Sequence, residues 1–432
     1  MFPKSPVPRG LKKLPCHGIM FIYFTDSEEL FMFNIAAAQS GGPTSAINSS
    51  LAGIFTEALK QPEIGAVYGS INGIEGVLKD EFVDLSKILT SDYDIDLLMK
   101  TPSTVLGSCR FKLKDPREDD SDFRKAAENL QKHDIKAFFY IGGNDSMDTV
   151  MKLDKWFREN GVDIRVIGVP KTIDNDVAET DHTPGFGSAA KYVAASLQEI
   201  IRDSRVYSIP SVTIVEIMGR EAGWLAASSC VLRANGEPAP HMIYLPEASF
   251  SEEKFIADIR EAQKRYKAVI AAVSEGINIG EGFSSELTDA FGHKYLSGVG
   301  KYLEKIVGDN IGCKVRSIEL NVMQRCSSHI ASLTDITEAK EIGEAAVRAA
   351  VSGESGVMMI FRRISNNPYR VEIVTASVDE VANKEKLFPA EWINAEGNNV
   401  TVDALNYFLP LIQGEPDIEY RNGIPVHFRL NQ

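Results

Sequence analysis

The sequence predicts an α/β fold in which most strands are parallel. Two observations lead to this prediction. First, short apolar segments alternate along the chain with longer segments whose apolar residues recur at helical spacing, which is typical of βαβ units. Second, four of the loops that follow apolar segments combine glycines with polar and charged residues. In open α/β sheets, ligands bind at the carboxyl ends of the strands, so we expect these loops to form a ligand site.

The individual elements can be placed in chain order. In the first predicted helix, for example, Ile47, Leu51 and Ile54 recur at helical spacing. The predicted strands are 33–38, 136–141, 165–169, 212–217 and 268–273. The predicted helices are 44–59, 146–157, 187–201, 221–230 and 336–351. After about Gly353 the sequence looks more irregular and carries no recognisable motif.

Composition narrows the class of protein. The 432-residue chain is 44% hydrophobic and 25% charged, which is typical of a globular protein with two or three domains. Its net charge of −14 argues against nonspecific binding of nucleic acid through a basic surface. The five cysteines are scattered without CxxC spacing, which favours reduced thiols in a cytosolic protein over a zinc or redox site.

The N-terminal segment differs from the rest of the chain. Residues 1–31 are basic at first, then apolar over a short stretch, then acidic, so they differ from a signal peptide. No apolar run in the sequence approaches the ~20 residues that span a bilayer, and we expect no membrane association. We expect 1–31 to lie outside the catalytic fold, and a chain that begins at Met32 to fold and be active.

The first two unusual loops each contain a Gly-Gly pair. QSGGPTSAIN, at 39–48, contains Gly42 and leads into a helix whose first amides attract anions, although such a turn can also be purely structural. YIGGNDSMDT, at 140–149, adds Asn144 and Asp145, and its acid could simply cap the helix. A second unit of this kind makes a chance occurrence less credible, because both loops would face the same crevice.

The third loop, GVPKTIDNDVAETDHTPGFGSA, is the most informative. Asp174 and Asp176 lie within three residues after a predicted strand, and Lys171 stands just before them. An Asx turn with solvated acids is the structural alternative. Apolar residues flank both acids, however, so the loop is not simply facing solvent. A carboxylate beside a lysine suits phosphoryl transfer, because the acid accepts a hydroxyl proton and the cation stabilises the migrating group.

The remaining candidates lie in the second half of the chain. In EIMGREAGW, Gly219 permits close approach to a ligand and Arg220 opens the next helix. Glu275 stands at another strand end, in VSEGI. Arg316 and Arg325 occur in KVRSIELNVMQRCSSH, and arginine suits bidentate phosphate binding, although a single arginine is more often a surface residue.

Taken together, these loops resemble the phosphofructokinase family in order and spacing, from about residue 33 to 329. The resemblance implies two Rossmann-like lobes with mostly parallel sheets and an active site in the cleft between them. Within a catalytic region at 32–432, we expect a first lobe at about 32–185 and a second at about 186–324. The C-terminal part, 325–432, is expected to be shared between the lobes.

The resemblance also implies roles for the residues that match the family's motifs. Asp174 of TIDND is implied to be the catalytic base, and Asp145, Lys171 and Thr172 are implied to lie beside the phosphoryl group. The implied diphosphate contacts are Gly42 of QSGGPT, Arg110 of LGSCRF and Lys171. The implied contacts with fructose 6-phosphate are Thr172, Ile173, Asp174, Met218, Gly219, Arg220, Glu275, Arg316 and Arg325.

Two positions indicate the phosphoryl donor. ATP-using members of the family carry GGDGS and PGTIDND, whereas this chain has GGNDS and PKTIDND. Asp145 would occupy the space of a nucleotide and repel its α-phosphate, and the ammonium group of Lys171 would stabilise a leaving phosphate. Both changes match the pyrophosphate-dependent branch. The implied reaction is the reversible transfer of a phosphoryl group from pyrophosphate to the 1-hydroxyl of fructose 6-phosphate.

The family also implies Mg²⁺, with Asn144 and Asp176 as its expected ligands, a cytoplasmic location and a homo-oligomer, either a dimer or a tetramer. The sequence departs from the family's pattern at some positions. Asn144 stands where many members have a metal-ligating aspartate, and Ser211 stands where ATP-using enzymes have an arginine from a neighbouring subunit. Val322 replaces a histidine or tyrosine that often contacts the sugar phosphate.

The sequence gives less support to other functions. An ATP-dependent phosphofructokinase is disfavoured by Asp145 and Lys171. A related NAD or lipid kinase is disfavoured because MGR and TIDND occur together. A non-catalytic regulatory subunit of the same fold would be expected to show decay in these loops, and both are intact. A redox Rossmann enzyme is poorly supported because neither glycine turn reads GxGxxG.

Overall fold

The computed structural model describes residues 32–280 and 298–430. Strands β1 to β13 follow each other along the chain. They are β1 (Phe33–Gln39), β2 (Ile64–Ser70), β3 (Phe82–Asp84), β4 (Ile135–Gly142), β5 (Arg165–Pro170), β6 (Ser211–Ile217), β7 (Met242–Tyr244), β8 (Ala268–Ser274), β9 (Lys314–Glu319), β10 (Val357–Asn366), β11 (Tyr369–Ser377), β12 (Tyr420–Arg421) and β13 (Ile424–Pro425).

Helices separate most of the longer strands. They are α1 (Ile47–Ala58), α2 (Ile74–Lys79), α3 (Asp92–Lys100), α4 (Ser121–Lys132), α5 (Asn144–Glu159), α6 (Phe186–Ser204), α7 (Trp224–Ser228), α8 (Glu252–Gln263), α9 (Val299–Ile311), α10 (Leu333–Val351), α11 (Val378–Val381) and α12 (Val402–Phe408). Within the described ranges, no helix is both long and apolar enough to cross a bilayer.

A seven-stranded sheet has the order β11-β10-β5-β4-β1-β2-β3. Its inner pairs are parallel, and only the outer pairs β10/β11 and β2/β3 are antiparallel. In the register of β1 and β4, Gln39 lies opposite Ile141, and Gly142 of β4 lies opposite Pro170 of β5. These three strands therefore end at the same level, and the loops that follow them lie side by side.

A second sheet has four parallel strands in the order β7-β8-β6-β9. Ile217 of β6 lies opposite Ser274 of β8, and Glu216 lies opposite Glu319 of β9. The segments that begin at Met218 and at Glu275 are therefore neighbours. The two sheets confirm the predicted α/β class with mostly parallel strands, and every strand predicted from the sequence is present.

Helix ends differ from the predictions in two instructive places. The first helix begins at Ile47 rather than at 44, because the Thr44 hydroxyl oxygen accepts hydrogen bonds from the amides of Ala46 and Ile47. The helix predicted at 221–230 is the short α7, followed by a 3₁₀ helix at Ser229–Asn235. Before α7 the chain makes a turn, with positive φ at Gly219 and Arg220 and a hydrogen bond from the amide of Ala222 to the carbonyl of Gly219, and the helix begins after this turn.

The expectation of irregular structure after Gly353 is wrong. β10 and β11 form a long antiparallel hairpin that extends the first sheet beside β5. The start of β10 is buried and its end alternates between exposed and half-buried residues, so no single period runs through the strand. The N-terminal extension expected at 1–31 lies outside the described residues, and Met32–Gln432 forms one compact unit.

Candidate active site

A cavity of about 480 Å³ opens where the loops of the two sheets meet. Its lining includes residues that follow β1, β4 and β5 of the first sheet and β6 of the second. Most of the predicted site residues line it: Gly42, Arg110, Asn144, Asp145, Lys171, Thr172, Ile173, Asp174, Asp176, Met218, Arg220 and Arg325. The spatial grouping of these residues, which are spread over almost 300 positions of the sequence, agrees with the predicted convergence of loops.

The turn after β1 brings main chain close to cations. Gly41 has a φ of +74°, and the ammonium group of Lys171 donates a hydrogen bond of 2.6 Å to the carbonyl oxygen of Gly42. A Cβ at Gly42 would lie 3.3 Å from Nη1 of Arg325. The carbonyl of Gly41 accepts a bond of 2.7 Å from Ser108, two residues before Arg110. The turn therefore leaves room for a ligand between positively charged groups.

Lys171 is 2% exposed. Burial lowers its pKa to about 7, and the nearby charges of Arg220 and Arg325 act in the same direction, while Asp174 and Asp176 oppose the shift. A polyanion in the cavity would favour the protonated form of this lysine. The site thus contains a buried amine whose pKa lies near neutrality.

The loop after β5 alternates between the protein interior and the cavity. Ile173 and Asn175 are buried, whereas Asp174 and Asp176 are half-buried and line the cavity. The amide of Asp174 donates a hydrogen bond of 3.1 Å to the hydroxyl oxygen of Thr172. The flanking apolar residues predicted that this loop is not simply facing solvent, and the buried positions of Ile173 and Asn175 agree with that interpretation.

Asn175, which sequence reasoning passed over, anchors this loop. It has a φ of +57°, in the left-handed region that asparagine tolerates better than most residues. Its side-chain oxygen accepts a bond of 3.1 Å from the amide of Thr183, and its side-chain nitrogen donates one of 3.0 Å to the hydroxyl of Tyr407. The buried residue between the two acids therefore fixes where both of them lie.

Asn144 and Asp176, the expected magnesium ligands, lie next to each other in the lining of the cavity. The side-chain nitrogen of Asn144 lies 3.5 Å from Oδ2 of Asp176, and its side-chain oxygen is buried without a hydrogen-bond partner. Burial and the nearby charge of Asp174 raise the pKa of Asp176 above its ordinary value. An unpartnered oxygen beside a destabilised carboxylate fits a divalent cation with oxygen ligands.

The metal site would be incomplete without a ligand from the substrate. In the described part of the chain, no three histidine, cysteine or acidic side chains are grouped as a metal site. Mg²⁺ commonly binds through one or two carboxylates together with substrate phosphates. The residues present therefore fit a cation that arrives with a phosphate compound.

Asp145 also brings an acidic side chain to the cavity, and it has a partner that no sequence motif indicated. Its Oδ1 lies 3.9 Å from Nζ of Lys112, and the side chain of Lys112 is 48% exposed. Lys112 lines the cavity two positions after Arg110, the spacing at which residues of an extended segment face the same way. That spacing could have identified it from the sequence.

The loop after β6 is held by a buried acid. Glu275 accepts hydrogen bonds of 3.2 Å from the amide of Gly219 and 3.1 Å from the amide of Arg220. Burial raises the pKa of Glu275 to about 7. The amide of Met218 donates a bond of 3.3 Å to the side chain of Gln324, so the neighbouring 3₁₀ turn with Arg325 is tied to the same loop.

Three predicted site residues do not line the cavity. Gly219 and Glu275 lie directly behind it, joined by the hydrogen bond just described. Arg316, on β9, lies apart from the cavity, and its Nη1 is 2.8 Å from Oδ2 of Asp203. Two residues from the segment after β11, Asn383 and Glu385, also line the cavity, and no sequence motif indicated them.

The site can hold a polyanion and move a proton. Five cationic side chains and four acids line one cavity of a chain whose net charge is −14. The cations are Arg110, Lys112, Lys171, Arg220 and Arg325, and the acids are Asp145, Asp174, Asp176 and Glu385. Local concentration of cations in an acidic protein is the arrangement that phosphate binding requires.

Comparison with known proteins identifies the family. The family model described as phosphofructokinase matches residues 34–350. A protein of Xanthomonas campestris pv. campestris named pyrophosphate–fructose 6-phosphate 1-phosphotransferase is 40% identical over 404 residues, 92% of this chain and 96% of the relative. A protein of the same name from Halomonas elongata is 38% identical with the same coverage.

A solved structure agrees with the sequence relatives. The crystal structure of a pyrophosphate-dependent phosphofructokinase from Marinobacter aquaeolei superposes with a TM-score of 0.82 at 38% identity, and it covers 93% of this chain and 96% of its own. The fold, the convergence of the loops and these similarities lead to one conclusion: the chain belongs to the phosphofructokinase family.

Proposed function

We propose that this protein transfers a phosphoryl group reversibly between pyrophosphate and the 1-hydroxyl of fructose 6-phosphate. The products of the forward reaction are fructose 1,6-bisphosphate and phosphate. The relatives named above carry out pyrophosphate-dependent phosphotransfer according to their names, and they align with nearly the whole chain. The enzyme is therefore a phosphotransferase of sugar phosphate metabolism, for which we propose a cytoplasmic location.

The observation that carries the proposal is the pair Asp145 and Lys171 in one cavity. Asp145 brings a carboxylate to the region where an ATP-using relative leaves space for a nucleotide, and a negative charge there disfavours an α-phosphate. Lys171 places a buried amine 2.6 Å from the carbonyl of Gly42, in the turn after β1 to which we assign the phosphoryl donor and which we call the donor turn. Pyrophosphate lacks a nucleoside, so the carboxylate of Asp145 does not obstruct it, and the ammonium group of Lys171 favours its binding.

Proton transfer is assigned to Asp174. In the forward direction the 1-hydroxyl oxygen of the sugar forms a bond to phosphorus as the bond from phosphorus to the bridging oxygen of pyrophosphate breaks. Asp174, which lines the cavity, accepts the hydroxyl proton. Lys171 and Arg110 stabilise the charge that develops on the departing phosphate. In reverse, protonated Asp174 returns its proton to the sugar oxygen.

We propose Mg²⁺ as the cofactor, held by Asn144 and Asp176 together with oxygens of the phosphates. When bound, the cation supplies charge neutralisation for the phosphoryl groups. The unpartnered oxygen of Asn144 and the raised pKa of Asp176 support this assignment, because a cation satisfies the first and restores the charge of the second.

The sugar is assigned to the loop after β6. Met218 and Arg220 line the cavity beside Arg325, which suits the 6-phosphate. Glu275, which lies behind the cavity, is assigned to this half as the residue that orders the loop through the amides of Gly219 and Arg220. The contact with a sugar hydroxyl that the family resemblance implied is therefore not part of the proposal. Arg316 does not reach this cavity, so a contribution to the sugar phosphate would have to involve another subunit of the proposed homo-oligomer.

The lobe division predicted from the sequence is retained as part of the proposal. The first sheet carries the donor loops and the second sheet carries the sugar loop. β10 and β11, from the C-terminal part of the chain, belong to the first sheet. A chain that begins at Met32 is expected to keep full activity, and size-exclusion chromatography with light scattering will measure whether it forms the proposed dimer or tetramer.

The test is a coupled assay for fructose 1,6-bisphosphate with Mg²⁺ and fructose 6-phosphate, comparing pyrophosphate with ATP. We expect product with pyrophosphate only. Product with ATP only would keep the family assignment and contradict the donor assignment. Absence of product with either donor would favour the alternative of a regulatory subunit with the same fold.

A further inference from the structure

The segment after α11 contains a lysine, Lys386, whose side chain contacts the loop after β5, which carries Asp174 and Asp176. The ammonium group of Lys386 donates hydrogen bonds of 2.9 Å to the carbonyl of Thr180 and 2.8 Å to the carbonyl of Asp181. A third bond, of 3.4 Å, goes to the side-chain oxygen of Asn175. A lysine ammonium has three donors, so these three oxygens use all of them.

The remaining surroundings of this ammonium are aromatic and hydrogen-bonded. Nζ of Lys386 lies 4.9 Å from the centroid of the Trp224 ring, within the range of a cation–π interaction. The indole nitrogen of Trp224 donates a bond of 2.9 Å to the carbonyl of Lys386. Tyr407 donates a bond of 2.6 Å to the carbonyl of Asp181, the same oxygen that Lys386 contacts. Burial lowers the pKa of Lys386 to about 7, while the charges of Asp181 and Asp176 oppose this shift. These partners therefore hold the amine in one place and favour its protonated form.

The main chain of the same segment is also hydrogen-bonded to the loop after β5 that carries Asp174 and Asp176, here called the catalytic loop. The amide of Lys386 donates a bond of 2.7 Å to the carbonyl of Asp176. Beside it, Glu385 and Val177 form an isolated antiparallel bridge. A single residue of the C-terminal part therefore holds the carbonyl of one catalytic-loop acid and the side chain of Asn175, which lies between both acids.

We propose that Lys386 is a positioning residue for phosphoryl transfer, and that its ammonium group acts as a built-in cation that sets the catalytic loop. This inference rests on the proposed function. Without the ammonium, the carbonyl of Thr180 loses its donor, and the carbonyl of Asp181 and the side-chain oxygen of Asn175 each lose one of their donors. The left-handed conformation of Asn175 then loses one of the contacts that maintain it. Asp174 and Asp176 then lose their fixed positions relative to the donor turn.

Specific consequences follow from a role in positioning. Because Lys386 does not line the cavity, its loss should lower kcat by ~10²-fold and leave the KM values for pyrophosphate and fructose 6-phosphate within about threefold. Because the oxygens form a site for a small cation, an amine supplied in solution should replace the missing group. A residue that merely contributes to stability would not show such replacement.

The experiment compares three variants at fixed pH, each checked for folding by circular dichroism. Lys386→Ala opens a space for a cation, and methylammonium is added as the probe, with tetramethylammonium as an ionic-strength control. Lys386→Met keeps the aliphatic stem over Trp224 and fills the space without a charge. Lys384→Ala removes an exposed lysine from the same segment and serves as the matched surface control.

The expected result is a saturable recovery of kcat, at least tenfold, by methylammonium in Lys386→Ala, together with a saturable change in tryptophan fluorescence from the ring that faces the site. Lys386→Met should be equally impaired and show neither response, and Lys384→Ala should match the wild type. Wild-type kcat in Lys386→Ala, or a loss that methylammonium leaves unchanged in both readouts, would overturn the inference.

Failure of the inference can be told apart from failure of the proposed function. An inactive wild-type protein with pyrophosphate would remove the function, whereas the fluorescence response of Lys386→Ala would still report whether a cation occupies the oxygen site. If Lys386→Ala does not fold, the comparison of kcat in Lys386→Met and wild type decides: wild-type kcat in this variant would contradict the role of the charge.

Discussion

The two halves of the cavity are built in different ways. The donor half, on loops of the seven-stranded sheet, is defined by charged side chains: Lys112 and Lys171 face Asp145 and Asp174. The acceptor half, on the loop after β6, is held in shape by main-chain hydrogen bonds, because the carboxylate of Glu275 accepts hydrogen bonds from the amides of Gly219 and Arg220. Donor choice should therefore respond to changes of charge, whereas sugar recognition should respond to changes of packing.

The largest expected effect is at Asp174, where the two halves meet. Asp174→Ser should lower kcat by ~10²-fold or more, because the 1-hydroxyl loses its proton acceptor. Steady-state kinetics with both substrates measure this. Asp163→Ser is the control, because it removes an acid that is 84% exposed and pairs with Lys136 at the end of β4 that lies away from the cavity. Unchanged kcat in Asp174→Ser would remove this residue from the role of base.

The next effect should be confined to the acceptor half. A Cβ at Gly276 would overlap the carbonyl oxygen of Arg220, so Gly276→Ala must displace the sugar loop. Overpacking of this kind costs about 1–3 kcal/mol, which corresponds to about a 5–150-fold loss in kcat/KM for fructose 6-phosphate. The KM for pyrophosphate should change little. Gly308→Ala, whose nearest contact would be an ordinary 3.8 Å, is the matched control.

A loss of pyrophosphate affinity as large as the loss for the sugar would contradict the division into halves. It would mean that the donor turn and the loop after β6 move together. Substrate titrations of Gly276→Ala, with one substrate varied at saturation of the other, give this result directly.

A double substitution in the donor half should change specificity. Asp145→Gly combined with Lys171→Gly removes the carboxylate that opposes a nucleotide and the cation that favours pyrophosphate. We expect measurable ATP-dependent activity, at least ~10-fold above that of the wild type, since each tenfold change needs only ~1.4 kcal/mol. Continued strict use of pyrophosphate would mean that other residues, such as Lys112 or Glu385, select the donor.

The smallest expected effect concerns pH. The pKa of Lys171 is lowered to about 7 by burial, and only the protonated amine attracts pyrophosphate. As pH rises above 7 in the free enzyme, the protonated fraction falls, so kcat/KM for pyrophosphate should decrease by up to ~10-fold per pH unit. In Lys171→Arg, whose side chain stays protonated, kcat/KM for pyrophosphate should no longer fall at alkaline pH, and its dependence on pH below 7 should be unchanged. An identical profile would assign the decline to another group.

Much of the fold could be predicted from the sequence, because its main strands are short, apolar and buried. The segments 33–38, 136–141, 165–169, 212–217 and 268–273 all fall within observed strands. The hairpin of β10 and β11 escaped prediction, because its first strand changes from buried to alternating along its length. A single hydrophobic period cannot describe such a strand.

The cavity lining was predictable where loops follow strands, and unpredictable where it depends on distant segments. The loop with Lys171 and Asp174 could be predicted as part of the site from its composition. Lys386 does not, since its role arises from hydrogen bonds to residues about 200 positions earlier. The same holds for Asn175, whose importance lies in a backbone conformation and in the partner Tyr407.

The most direct test of the proposed reaction is ³¹P NMR of the wild-type protein with Mg²⁺, fructose 6-phosphate and pyrophosphate. We expect pyrophosphate to disappear while the sugar 1-phosphate and free phosphate appear in equal amounts. We expect the same equilibrium to be reached from fructose 1,6-bisphosphate and phosphate. Release of phosphate without the sugar 1-phosphate, or persistence of pyrophosphate in this mixture, would contradict the proposed reaction.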